Sequence, residues 1–222
     1  MADSPSPSPN VLVKELQERF GRTYAAEAGI GLADTPSPLY QLLVLATLLS
    51  ARISADIAVA AARELFAAGY RTPRAMAEAS WQDRVDALGR GHYKRYDERT
   101  ATMLGDGAGL LNERWHGDLR RLRDEADGDA GRVAESLQEF PGIGPAGASI
   151  FLREVQDVWP SIAPYVDDKV RDGAQELGLP TAADQLAKLA GSDLARLAAA
   201  LVRVALTKNA AAEVRAAAQD RG

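Results

Sequence analysis

Residues 137 to 152 read "LQEFPGIGPAGASIFL" and set Pro141, Gly142, Gly144, Pro145 and Gly147 within seven positions, between two apolar, helix-like flanks. The start of a helix leaves backbone N–H groups unpaired and carries partial positive charge, so a phosphate is a natural partner for it. Gly142 and Gly144 have no side chain to hold a phosphate off, and they let the backbone bend sharply. Ile143 between them can turn inward and pin the loop to a core, and Pro145 suits the first turn of the outgoing helix. In this reading Pro141, Gly142, Ile143, Gly144 and Ala146 form a tip of bare amides that grips backbone phosphates without reading sequence. A plain turn between two helices, closed by glycine, fits the same residues.

A second group with possible chemistry is "RGHYKR", where Arg90, Lys94 and Arg95 are a candidate phosphate patch. Such a cluster also reads as a solvated face. Tyr93 and Tyr96 beside it either stack on a base or pack in the core. The formal net charge of −5 argues against a nucleic-acid partner if taken alone. A grip made of backbone amides needs few lysines, which weakens that objection. Cysteine is absent, which excludes disulfides, thiolate metal sites, iron–sulfur clusters and cysteine nucleophiles. With two histidines, a histidine-rich metal site is not expected either. Neither a metal nor a cofactor is therefore expected.

These residues need elements to position them, and the pattern is helical throughout. Alanine is abundant, β-branched runs are few, and apolar residues recur at helical spacing. About ten helices are expected. They include one from Val11 to Ala28, a core helix over 39–51 ("LYQLLVLATLLSA"), one beginning near His92, one leaving the turn at 145, one from about Asp167, and a last one over 192–209. "GIGLADTPSP" reads as a linker closed by Pro36 and Pro38, and residues 1–10 ("MADSPSPSPN") as a disordered tail. No apolar run is long enough to span a bilayer, and the N-terminus lacks the apolar core of a signal peptide. The expectation is an all-α, cytoplasmic, monomeric protein with no membrane partner.

"LQEFPGIGPAGA" resembles the helix–hairpin–helix motif of the DNA glycosylase superfamily that includes endonuclease III, adenine glycosylase and 3-methyladenine glycosylase. "SIAPYVDDKVRD" stands where that family has a loop with an essential aspartate. "LLVLATLLSARISADIA" is similar to its buried helix ending in a serine-containing turn, and "LGRGHYKRYDERTATML" to its G-x-Y-x-x-K-A segment. The similarity runs from Pro38 to Asp172, about three-fifths of the chain. It implies two helical lobes with a cleft between them. Residues 36–150 would form a six-helix lobe carrying the motif at about 131–152, and residues 11–35 with 151–222 the second lobe. Two departures qualify the likeness. Bifunctional members carry a lysine where this chain has Ala146, and cluster-bearing members carry four cysteines where it has none.

The resemblance therefore implies a monofunctional, cluster-free DNA glycosylase of base excision repair. Its partner would be double-stranded DNA with a damaged or mismatched base. One carboxylate would stabilise the charge that develops on the sugar and activate a water. Asp167 and Asp168 compete for that role. The family's apolar and basic residues downstream fit Val170 and Arg171 when counted from Asp167, which favours it. Helix capping is the plain alternative for either. Lys169 would contact a phosphate, serve as a displaced amine for weak abasic-site lyase chemistry, or simply face solvent. Arg52 sits where the family has a residue that enters the space left by an extruded base; a surface arginine at a helix end fits equally. The competing functions are a non-catalytic helix–hairpin–helix DNA-binding protein and an all-α scaffold whose turn is merely structural.

Overall fold

The computed structural model describes residues 7–221, and among these the backbone forms fourteen helices and no strand. In chain order they are α1 (Pro9–Phe20), α2 (Tyr24–Glu27), α3 (Pro36–Leu49), α4 (Ala55–Ala67), α5 (Pro73–Glu78), α6 (Trp81–Arg90) and α7 (Asp97–Trp115). There follow α8 (Leu119–Glu125), α9 (Ala130–Leu137), α10 (Pro145–Val155), α11 (Asp168–Leu177), α12 (Ala183–Ala190), α13 (Leu194–Leu206) and α14 (Ala210–Gln219). The expected all-α class holds. The larger count has local causes. The single helix expected over 11–28 breaks at Gly21, whose N–H closes α1 on Gln17 O at 2.9 Å. Pro9 opens α1 inside the expected tail, in the first turn that tolerates proline; residues 1–6 of that tail lie outside the described residues. Pro36 and Pro38 likewise stand in the first turn of α3 rather than in a linker.

The chain divides into two compact units, one of residues 24–162 and one joining the described residues up to Thr23 with those from Ala163 onward. In the larger unit α3 is the central element. Every residue from Leu39 to Leu48 is buried, as an all-round apolar helix requires. Arg84 on α6 is also buried. It donates to Ala101 O at 2.8 Å, Met76 O at 2.9 Å and Ala79 O at 2.7 Å, so one guanidinium joins α6, α7 and the end of α5. Carbonyls at a helix end carry partial negative charge, which suits a buried cation. Residues 24–35 and 151–162, expected in the second lobe, belong to this unit. Glu154 accepts from the N–H groups of Tyr24 and Ala25 at 3.1 and 2.9 Å, and Trp159 Nε1 donates to Asp34 at 2.8 Å.

The smaller unit packs α1, α11, α13 and α14 around Leu16, Val170, Leu177, Leu201, Val204 and Val214. α11 and α13 meet at Gly173, where a β-carbon would overlap the Leu201 carbonyl. The buried Glu15 is met by Arg19 and, at 2.9 Å, by Arg221.

Candidate nucleic-acid interface

The turn at 138–144 is built from both sides. Asp129 caps α9, its Oδ1 accepting from Arg132 N–H at 2.8 Å, and α9 delivers the chain to Phe140. Phe140 is buried and stacks on Trp115 with ring centroids 5.5 Å apart. The Ile143 N–H returns to Phe140 O at 3.0 Å, and Ile143 itself is 5 % exposed. Proline at the second position and glycine at the third, with Gly142 at φ +88°, form the pattern of a type II turn. Two buried side chains therefore hold an exposed Gly142 between them.

Gly144 behaves differently. Its backbone is extended (φ −104°, ψ −169°), a conformation open to any residue, and a β-carbon there would meet nothing within 4 Å. The bend expected at both glycines is made at Gly142. Gly144 serves as the N-cap of α10 without any side-chain cap. The first intrahelical donor is Ala148, bonded to Gly144 O at 3.0 Å, so the amides of Ala146 and Gly147 come before the helix can use them. Ala146 is exposed. Gly147 is buried where α10 crosses the end of α3, and a β-carbon there would overlap Ser50 Oγ.

Beside this turn lies a depression of about 230 Å³. The end of α3 supplies Thr47, Ser50, Ala51 and Arg52; the start of α7 supplies Tyr96, Arg99, Thr100 and Met103; the turn supplies Gly142. Its lining contains two cations and no carboxylate. Arg52 and Arg99 are exposed, and neither guanidinium has an ion-pair or hydrogen-bond partner among the described residues.

Of the residues singled out by sequence, the structure brings Arg52, Tyr96 and Gly142 together here. Lys94 and Arg95 are exposed on the 91–96 loop, because α7 starts at Asp97 and not near His92, which takes a positive φ of 63°. Arg95 lies 5.2 Å from the Tyr96 ring centroid. Arg90 is engaged with Glu64 at 3.1 Å at the end of α6. Tyr93 is wholly buried; burial pushes its phenol above the usual tyrosine range, and the neighbouring Thr100 hydroxyl offsets part of that shift. Arg99, Thr100 and Met103 escaped the sequence reading. They follow Tyr96 at i+3, i+4 and i+7, one face of a helix, and that spacing was the available signal.

The acidic pair belongs to the smaller unit. Asp167 is the N-cap of α11, with Oδ1 accepting from Val170 N–H at 3.0 Å, and it is partly buried. Asp168 has a side chain 97 % exposed and meets Arg171 at 3.3 Å. Lys169 is exposed and pairs with Asp172 at 3.0 Å. No protein-family model matches the chain, and no curated protein matches it. Among the described residues no helix is long and apolar enough to cross a membrane, and no cluster of side chains has the composition of a metal site.

Proposed function

We propose that the chain is a monofunctional DNA N-glycosylase of the helix–hairpin–helix superfamily. The observation that carries this reading is the tip of the 138–144 turn: uncapped amides and an exposed Gly142 beside a depression that, among the described residues, is lined by two unpaired guanidiniums and no carboxylate. Backbone amides and arginines suit phosphates, and they hold a duplex without reading its bases. The target base leaves the stack for a pocket. Water oxygen bonds to the sugar C1′ as the C1′–N bond breaks. The electron pair leaves with the base, and the proton lost by the water passes through the Asp167 carboxylate to the departing base. Asp167 is the better candidate for this role, since a capping bond fixes its orientation while Asp168 points into solvent.

The test is base release from a panel of lesion-bearing duplexes. The wild type is expected to release base from at least one. Asp167→Asn is expected to slow release by about 10²–10⁴-fold while leaving binding to an abasic analogue unchanged. Asparagine is as good an N-cap as aspartate, so the melting temperature should hold. Release at the wild-type rate by this variant ends the reading. Borohydride is expected to trap no covalent adduct on abasic DNA, because Ala146 has no amine and Lys169 lacks the apolar surroundings that activate a Schiff-base lysine. A trapped adduct would instead support the displaced-lysine lyase.

One observation favours the second reading, a DNA-binding protein without turnover: one oxygen of Asp167 is already used to cap α11. Tight abasic-site binding with no release across the panel would select it.

A further inference from the structure

We infer that the depression between the end of α3 and the start of α7 is a phosphate subsite, in which Arg52 and Arg99 share one phosphate and Thr100 donates a third hydrogen bond. This deepens the nucleic-acid reading above and rests on it.

The first observation is the pair of unpaired guanidiniums. The surface of this chain is rich in ion pairs, from Arg74–Glu78 and Arg90–Glu64 to Arg132–Asp127. Arg52 and Arg99 have no such partner among the described residues. Asp97 and Glu98 open α7 close by in sequence, yet neither lines the depression. Guanidinium presents a planar fork of donors that fits phosphate oxygens, and two of them around one depression without a carboxylate leave positive charge uncompensated.

The second observation is independent of charge. Thr100 lines the same depression, is 1 % exposed, and among the described residues its hydroxyl meets no polar group but the neighbouring Tyr93 phenol. The Tyr93 phenol likewise has no partner other than Thr100 among the described residues. Even if these two hydroxyls pair with each other, one proton of the pair still lacks an acceptor. A buried hydroxyl is seldom left without an acceptor, so the spare proton favours an incoming acceptor oxygen here. A phosphate oxygen arriving between the arginines supplies that acceptor. Gly142 at the rim adds no side chain of its own to the approach.

The phosphate could be an internal diester or the terminal monoester at a nick. The experiment measures duplex binding by fluorescence anisotropy between about 50 and 200 mM salt for the wild type, Arg52→Gln, Arg99→Gln, the double variant and Thr100→Val. Intact duplex and duplex nicked with a 5′-phosphate are compared. A shared phosphate predicts that the double variant lowers the slope of log affinity against log salt by about 0.9, one contact's worth. Thr100→Val is expected to weaken binding, because the hydroxyl that reaches the phosphate is gone while the shape of the side chain is kept. A larger loss on nicked than on intact duplex assigns the site to the terminal monoester, and equal losses assign it to the diester.

An unchanged slope in the double variant overturns the inference, as does a loss near 1.8, which would mean two separate phosphates. So does a Thr100→Val variant that loses stability but not affinity. The outcome is separable from the glycosylase reading, since base release and its dependence on Asp167 are scored in a different assay.

Discussion

A β-carbon at Gly142 would come within 3.0 Å of the Met103 sulfur and 3.2 Å of Thr47 Cγ2, and its φ of +88° is one that other residues adopt only under strain. Gly142→Ala is therefore expected to cost about 1–3 kcal/mol, read as a lower denaturation midpoint with an unchanged m-value. Gly144→Ala makes the complementary test. Nothing surrounds that position and its backbone is unstrained, so stability should be unaffected. If the tip holds a phosphate, the added methyl should still weaken duplex binding, measured in the same anisotropy titration. The sequence marked both glycines as one feature. The structure separates them: Gly142 takes the third position of a type II turn over Met103 and Thr47, whereas Gly144 is extended with open space around it.

At the scale of helices, the close approach of α11 to α13 rests on Gly173. A methyl group there would overlap the Leu201 carbonyl, and backbone cannot swing aside as a flexible side chain can. Gly173→Ala is expected to destabilise by about 1–3 kcal/mol or more, seen as a fall of several degrees in melting temperature. Most helices could be read from local chemistry: Ser54, Thr72 and Ser80 each cap a helix with a side-chain oxygen. Two could not. The four-residue α2 begins where the Glu154 carboxylate accepts two of its amides, a partner about 130 residues away. α14 has only Val214 among alanines as an apolar signal, and its start follows from Asn209 turning at φ +69°.

At the scale of the molecule, the chain's two ends build one unit while the middle builds another. In the smaller unit, α14 buries Val214 and Ala218 against the shared core, and Arg221 reaches Glu15 at 2.9 Å and Glu18 at 2.8 Å. Deleting residues 210–221 is expected to lower the melting temperature and expose apolar surface, detected by dye binding, because α14 closes part of that core. An all-helical chain, without the thiols that metal clusters and disulfides need, and with one tight proline–glycine turn, follows from sequence by itself, since composition, capping and turn chemistry act over a few residues. That Arg52, Arg99 and Gly142, each separated from the next by about forty to fifty residues, line one depression was decided by tertiary packing alone. No local rule brings them together: their meeting depends on how α7 and α10 each pack against α3, through side chains buried beneath the surface they define.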